Sequence, residues 1–176
     1  MGDFPANGRI SYERIAALLY VDVAGVLRWK VSRGTAKAGR EAGSPDSSGY
    51  LQVKIDRQTY LIARIVWLLT RGEWPEHEVD HKDRTLRHNA PDNLRAATRG
   101  QQAANKPRYR NNTSGAKGVH RDNRSGRWNV RIQVAGRRIY LGSFDNLDSA
   151  TKAYDVAARQ HFGEFAATNQ REIPHG

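Results

Sequence analysis

The stretch Arg127-Trp-Asn-Val-Arg-Ile-Gln-Val134 alternates apolar and polar side chains without a break. Because successive side chains of a strand point to opposite faces, this alternation predicts a strand with one buried and one exposed face. The apolar face consists of Trp128, Val130, Ile132 and Val134. The polar face consists of Arg127, Asn129, Arg131 and Gln133. The segment therefore predicts a sheet that packs on one side and presents cationic side chains on the other.

The sequence after this strand predicts a hairpin. Ala135-Gly136 has turn composition, and Arg137-Arg-Ile-Tyr-Leu141 alternates again. We expect Ile139 and Leu141 to be buried. The cationic face would gain Arg138 and Tyr140.

A further strand and a helix complete the predicted unit. Gly118-Val-His-Arg predicts the first strand, and Asn146 can cap a helix that continues to about Phe162 and ends at Gly163. The apolar stripe of that helix consists of Ala150, Ala153, Tyr154, Ala157 and Phe162. The prediction is a three-stranded antiparallel sheet covered on one face by a helix.

Positive charge concentrates in the same region. The chain of 176 residues has 29 Lys and Arg against 18 Asp and Glu, a net charge of +11. Between Lys106 and Leu141, ten Lys and Arg stand against one acid, Asp122. The polar, basic stretch 106–113 predicts a linker that can follow a phosphate backbone, so nucleic acid is the expected partner.

Composition excludes several other classes. No apolar run approaches the roughly 18 residues of a membrane span, and mean hydropathy is −0.76, so we expect a soluble protein without a membrane partner. The absence of cysteine excludes disulfides and thiolate zinc sites. The first residues lack the pattern of a signal peptide, which predicts a cytoplasmic location.

The half before residue 106 reads as a scaffold followed by a polar segment. Ser11 can cap a helix to about Tyr20, strands are expected over 26–31, 50–55 and 59–62, and a buried helix over 63–71 ends at Gly72. Residues 79–95 are too polar for the core of a strand and too long for a tight turn. We therefore expect this segment to carry function.

Three residues of the polar segment suit hydrolysis of a phosphodiester. Asp80 is a hard oxygen ligand for a divalent cation, and His81 can deprotonate water near neutral pH. Asn93 can hold the loop backbone. A base for the attacking water and a cation for the developing negative charge are what this reaction requires.

Residues 50–105 resemble the HNH endonucleases of phages and mobile introns. The matching residues are Gly49-Tyr50, Trp67, Gly72, Pro75, Asp80-His81, Asn93-Leu-Arg95, Thr98 and Asn105. The resemblance implies that His81 is the general base, that Asp80 is a ligand of Mg²⁺ or Mn²⁺, and that Asn93 braces a ββα-metal hairpin. If the chain is encoded by a phage, it would act in the cytoplasm of the host cell.

The last ligand departs from the family pattern. Relatives usually offer an Asn or a His from the helix after the hairpin, and the matching position holds Gln102. A Gln carbonyl can still bind a hard cation, although its longer reach changes the geometry. Asn105, three residues later on the same helical face, is the reserve candidate.

Residues 114–169 resemble the APETALA (ethylene-response-factor) DNA-binding domain. The matching residues are Ser114-Gly115, Gly118-Val119, Trp128, Leu141-Gly142, Phe144, Ala150, Tyr154, Ala157-Ala158, Gly163 and Asn169. The resemblance implies that the polar sheet face meets DNA. The expected contacts are Lys117, His120, Arg127, Arg131, Gln133, Arg138 and Tyr140. Lys106, Arg108 and Arg110 are expected at phosphates or in the minor groove.

The resulting prediction is an α+β protein with an HNH nuclease domain (1–105), a basic linker (106–113), an APETALA-type DNA-binding domain (114–170) and a tail (171–176). It would hydrolyse double-stranded DNA with Mg²⁺ or Mn²⁺, as a monomer on an asymmetric site, with nicking as the simpler outcome. The alternative is a non-catalytic, sequence-specific DNA-binding regulator whose HNH half has decayed.

Overall fold

The computed structural model describes residues 10–109 and 111–170. The chain divides into two compact units, the first ending at Ala97 and the second beginning at Thr98. Each unit combines small antiparallel sheets with helices, so the predicted α+β class is confirmed. The division falls before the boundary expected near residue 106, and it assigns the helix that follows the polar segment to the second unit.

The first unit builds three small sheets around a central helix. Its elements are α1 (Tyr12–Leu18), β1 (Leu19–Val21), β2 (Leu27–Trp29), β3 (Ser44–Pro45), β4 (Leu51–Ile55), β5 (Gln58–Leu61), α2 (Ile62–Arg71), β6 (Glu78–His81) and β7 (Leu94–Ala97). The sheets are β1-β2, β3-β4-β5 and β6-β7. The core lies on α2, where Ile65 and Val66 are fully buried together with Ile15 and Ile55.

Capping residues define the two helices of this unit. The Ser11 side chain accepts a hydrogen bond from the Arg14 N–H at 3.2 Å, as the sequence predicted. Gly72 ends α2 in the left-handed region, with φ of 82°, and its N–H donates to the Leu68 carbonyl at 2.9 Å.

The predicted end of α1 was wrong. The helix ends at Leu18, and Leu19–Val21 forms a strand that pairs with β2, Leu19 lying opposite Trp29. The apolar periodicity could not separate helix from strand here, because Leu19 is buried in either case.

The expectation that residues 79–95 contain no strand core was also wrong. Both ends of the segment are strands, β6 and β7, which pair with Asp80 opposite Arg95 and His81 opposite Leu94. Polar side chains are buried here because they bond to one another, a property that composition does not reveal.

The second unit holds the predicted sheet and helix. Its elements are α3 (Arg99–Asn105), β8 (Val119–Arg121), β9 (Trp128–Val134), β10 (Arg137–Phe144), α4 (Leu147–Phe162) and a 3₁₀ turn (Gly163–Phe165). The sheet order is β10-β9-β8, all antiparallel, and its apolar face packs on α4 through Val130, Ile132, Ala150 and Tyr154. Asn146 caps α4 by accepting from the Ser149 N–H at 2.8 Å.

Two details of β10 differ from expectation. The strand continues to Phe144 instead of ending at Leu141, with a register shift between Tyr140 and Gly142. Ile139, expected to be buried, is 37% exposed. β10 is an edge strand, so Ile139 is flanked by a neighbouring strand on one side alone.

Candidate nuclease site and DNA-facing sheet

The β6–β7 hairpin buries an acid and a histidine next to each other in the chain. Asp80 is 9% exposed and His81 is 4% exposed, which is unusual for both residue types. The Oδ2 atom of Asp80 accepts from Nε of Arg95 at 3.0 Å and lies 2.9 Å from its Nη2. The buried carboxylate of Asp80 thus has a buried guanidinium as its partner.

Asn93 holds the loop between the two strands. Its Oδ1 accepts from the Asp83 N–H at 3.1 Å. Its Nδ2 donates to the His88 carbonyl at 2.7 Å and to the Asp83 carboxylate at 3.0 Å. One buried amide thus joins both sides of the loop.

Asp83 strengthens the same loop electrostatically. Burial by itself would raise the pKa of its carboxyl. Hydrogen bonds from His88, the Thr85 N–H and Asn93 outweigh that effect and lower the pKa to about 2. Asp83 therefore stays ionised well below neutral pH and keeps its hydrogen bonds there.

Asn89 is a contact that the sequence analysis missed. Its Oδ1 lies 3.0 Å from Nε2 of His81, and the residue is 6% exposed. The Tyr50 ring lies on another side, with its centroid 6.4 Å from that of the His81 ring. Nothing in the spacing of Asn89 distinguishes it from other polar loop residues, so only the fold identifies it.

The oxygen donors suit a hard divalent cation. Among the described residues no group of three or more His, Cys, Asp or Glu could hold a metal ion. A cation at Asp80 would thus need amide oxygens, water or phosphate as further ligands. This donor chemistry fits Mg²⁺ or Mn²⁺, because Mg²⁺ commonly combines one or two carboxylates with water and substrate phosphates.

The two amide candidates lie on α3 in the second unit. A capping box starts this helix: Thr98 accepts from the Gln101 N–H at 3.3 Å, and the Gln101 side chain accepts from the Thr98 N–H at 2.8 Å. Gln102 is partly buried, and Asn105 is 6% exposed.

The second unit presents the polar sheet face that the alternation predicted. Arg131 lies opposite Tyr140, and Gln133 lies opposite Arg138. His120 lies opposite Asn129 on the other side of β9, and the Tyr140 hydroxyl donates to Asn129 at 3.2 Å. Since directly paired residues share a face, these side chains form one exposed polar surface. We call it the sheet face: His120, Asn129, Arg131, Gln133, Arg138 and Tyr140.

Three expected DNA contacts have partners within the unit. Lys117 donates from Nζ to the carbonyls of Ala104 at 2.7 Å and Lys106 at 2.6 Å, which directs it to the end of α3. Arg127 forms an ion pair with Asp145 at 2.7 Å and donates a hydrogen bond to the Ser143 hydroxyl. Arg108 donates to the Gly115 carbonyl. Arg110 lies outside the described residues.

A groove of about 860 Å³ runs along this unit between α3, the segment after it and the sheet. Its lining includes five Lys and Arg side chains, Lys106, Arg108, Lys117, Arg131 and Arg138, among apolar residues such as Tyr154 and Phe162.

The hairpin lies within a part of the chain that matches a protein family. Residues 60–104 match the HNH endonuclease family. The match begins in β5 and ends in α3, so it contains Asp80, His81, Asn93 and Gln102. The HNH part of the resemblance is confirmed.

A stretch of about 50 residues is similar to plant transcription factors. Identity is 47% over 55 residues with the AP2-like ethylene-responsive transcription factor ANT of Arabidopsis thaliana, covering 30% of this chain and 10% of that protein. It is 44% over 45 residues with an AP2/ERF and B3 domain-containing protein of Oryza sativa subsp. japonica, covering 26% of this chain and 12% of that protein. The chain thus spans about a tenth of the length of these relatives. The APETALA part of the resemblance is confirmed.

No helix among the described residues is long and apolar enough to cross a membrane.

Proposed function

We propose that this chain is a metal-dependent endonuclease that hydrolyses phosphodiester bonds of double-stranded DNA. The observation that carries the proposal is the β6–β7 hairpin, which buries His81 and Asp80 with defined partners and braces its loop through Asn93. His81, Asp80 and Asn93 all fall within the residues that match the HNH family.

His81 acts as the general base. It accepts a proton from water, the water oxygen attacks phosphorus, and the bond from phosphorus to the leaving oxygen breaks. Asp80 and Gln102 would hold Mg²⁺ or Mn²⁺, with Asn105 as the reserve ligand. A bound divalent cation supplies positive charge for the transition state and the leaving oxygen. Arg95 holds the Asp80 carboxylate in position.

The second unit binds DNA through the sheet face. Exposed Arg131 and Arg138 have the donor geometry that recognises guanine in the major groove, and Gln133 can read adenine. Lys106 is exposed at the end of α3 and suits a phosphate. The partial similarity to plant transcription factors supports the same role. We do not include Lys117 among the proposed DNA contacts, because its ammonium donates to the carbonyls of Ala104 and Lys106 at the end of α3.

A cleavage assay tests the proposal directly. Supercoiled plasmid or phage DNA is incubated with the protein in Mg²⁺ or Mn²⁺, with and without EDTA. Open circles are the expected product, because one active site on a monomer cuts one strand. Activity that persists in excess EDTA would contradict the metal requirement.

A DNA-binding regulator without cleavage is the second candidate. It is favoured by Gln102, which stands where relatives usually have Asn or His, and by the fact that Asp80 is the one carboxylate that we assign to the cation. This candidate would be established if the protein bound a specific duplex in a gel shift but cleaved no sequence of a random library in Mg²⁺ or Mn²⁺.

A further inference from the structure

The carboxyl end of α3 is closed by a lysine from a later part of the second unit. Nζ of Lys117 donates to the Ala104 carbonyl at 2.7 Å and to the Lys106 carbonyl at 2.6 Å. Ala104 belongs to the last turn of α3, and Lys106 is the residue that follows the helix. The last carbonyls of a helix lack partners within it and carry a partial negative charge, so an ammonium group stabilises them. The last turn of α3 contains no basic residue of its own, so Lys117 supplies this charge.

The backbone of Lys117 is itself fixed to the interior of the second unit. Oδ1 of Asn169 accepts from the Lys117 N–H at 2.6 Å, and Nδ2 of Asn169 donates to the Lys117 carbonyl at 3.2 Å. Asn169 is held in turn by Asp155, a residue of α4 that is 1% exposed. Oδ1 of Asp155 accepts from the Asn169 N–H at 2.7 Å and from its Nδ2 at 3.1 Å. The ammonium at the end of α3 therefore belongs to a side chain whose backbone is connected to α4.

Helix α3 depends on such interactions because it is weak by itself. It has seven residues, whereas isolated helices shorter than about 12 to 15 residues are marginal in water. Gly100 lies within it and lowers its intrinsic stability further. The capping box of Thr98 and Gln101 closes the amino end, and Lys117 closes the other end. Loss of the ammonium should thus loosen the helix.

The same helix carries both amides that we propose as cation ligands, Gln102 and Asn105. A ligand on a helix binds only while the helix is formed, and the apparent affinity falls with the fraction that is formed. A change at Lys117 should therefore affect the cation requirement, although Lys117 is not a ligand.

We propose that Lys117 is a positioning residue that closes the carboxyl end of α3 and thereby ties the helix with the candidate cation ligands to the second unit. Its ammonium donates to the helix and not to DNA. The link with the cation rests on the proposed function. The contact between Lys117 and α3 can be tested without cleavage.

Two variants at position 117 and one control test the proposal. Lys117→Met removes the ammonium and keeps an unbranched side chain, whereas Lys117→Arg keeps a cation. Lys152→Met removes an exposed ammonium from α4 and serves as the control. For each full-length variant, NMR measures hydrogen exchange of the amides of α3 and α4. Affinity for a duplex is measured in EDTA at several salt concentrations, and cleavage is titrated with Mg²⁺.

In Lys117→Met, the amides of α3 should exchange about 10-fold faster, because a hydrogen bond to a charged group contributes at least that factor. Those of α4 should be unchanged. Affinity for DNA and its salt dependence should stay within about twofold of Lys152→Met. The Mg²⁺ concentration for half-maximal cleavage should rise by about 2- to 10-fold, because fewer molecules have α3 formed. Lys117→Arg should restore both exchange and the Mg²⁺ requirement.

Four outcomes overturn the proposal. The first is unchanged exchange of α3 in folded Lys117→Met, and the second is no restoration by Lys117→Arg. The third is weaker and less salt-dependent DNA binding by Lys117→Met, which would place the ammonium on a phosphate. The fourth is an unchanged Mg²⁺ requirement when α3 is loosened, which would contradict the link with the cation.

A measurement on the wild-type protein decides if Lys117→Met does not fold. The ¹⁵N signal of the Lys117 ammonium, identified by its disappearance in Lys117→Arg, is recorded in EDTA with and without duplex. An unchanged signal supports the contact with α3, and a shift on DNA binding overturns it. A wild-type protein that does not cleave DNA refutes the proposed function, whereas exchange and affinity still test the contact.

Discussion

At the scale of single residues, the hairpin site consists of polar side chains that are buried in pairs. Asp80 pairs with Arg95, and His81 pairs with Asn89. Burial without these partners would cost each group several kcal/mol. The pairs explain how these polar groups can lie within strands and keep a defined geometry.

A substitution of His81 should change the cleavage rate without changing the affinity for DNA. We expect His81→Ala to lower the cleavage rate by about 10² to 10⁴-fold, because general-base catalysis contributes that range. Affinity for DNA should stay within about twofold, since the base acts on water and holds no phosphate. His77→Ala, an exposed histidine in the same unit, is the control. Near wild-type cleavage by His81→Ala at saturating metal would exclude the assignment.

Gln102 is the residue that tests the metal assignment. Gln102→Asn should retain or raise activity, because it restores the usual donor of the family. Gln102→Ala should lower activity and raise the Mg²⁺ concentration needed for half-maximal cleavage. Metal titrations of the cleavage rate measure both effects. If Gln102→Ala resembles wild type and Asn105→Ala is inactive, the ligand is Asn105.

At the scale of elements, the packing of the three-stranded sheet on α4 depends on one glycine. Gly118 has φ of 73°, and a Cβ there would lie 2.2 Å from the Tyr154 ring and 2.6 Å from the Arg131 carbonyl. Tyr154 is 4% exposed and cannot move aside without disturbing α4.

Gly118→Ala should therefore lower the free energy of unfolding of the second unit by at least about 2 kcal/mol, combining overpacking with backbone strain. Gly126→Ala is the matched control, because its φ is 71° but no atom lies within 4 Å of the added Cβ. Gly126→Ala should lower the free energy of unfolding by about 1 kcal/mol, because it introduces the backbone strain without the overpacking. Urea unfolding followed by tryptophan fluorescence measures both variants. Equal losses would show that the contact with Tyr154 does not matter.

We expect two kinds of DNA contact, one from the sheet face and one from the basic segment that follows α3. Arg131→Ala and Arg138→Ala should each cost about 1 to 3 kcal/mol at one base pair and relax the preference there. Lys106→Ala and Arg108→Ala should weaken binding to all sequences and reduce its salt dependence. Specific and scrambled duplexes titrated at several salt concentrations distinguish the two effects. A uniform loss for Arg131→Ala would move that residue to the phosphate contacts.

At the scale of the whole molecule, the proposed base and the proposed DNA-reading sheet lie in different units. Most of the excess positive charge follows residue 105, whereas Asp80 and His81 belong to the unit that ends at Ala97. Each unit has its own apolar core, one on α2 and one between the sheet and α4.

A truncation after Lys106 tests this division. The first unit should stay folded but bind DNA weakly and with little selectivity, because the sheet face is removed. Helix α3 should fray, since its contacts with α4 and the 3₁₀ turn are lost and a seven-residue helix is unstable by itself. Circular dichroism and duplex titration are the measurements. Undiminished selectivity of the fragment would move recognition into the first unit.

Alternation and capping made much of the fold predictable from sequence. The strand around Val130, the helix capped by Asn146 and the end of α2 at Gly72 follow from interactions within a few residues. Asp80, His81 and Asn93 could be proposed because their side chains have distinctive chemistry. Such features depend on local geometry, which the order of residues carries directly.

The tertiary structure decided what depends on contacts between distant residues. Only pairing across the hairpin shows that Asp80 meets Arg95 and that polar residues can occupy β6 and β7. Only the loop brings Asn89 to His81, and only the fold turns Lys117 to the end of α3. The partner of a side chain depends on which distant segment of the chain packs against it. Composition, charge and periodicity do not contain that information.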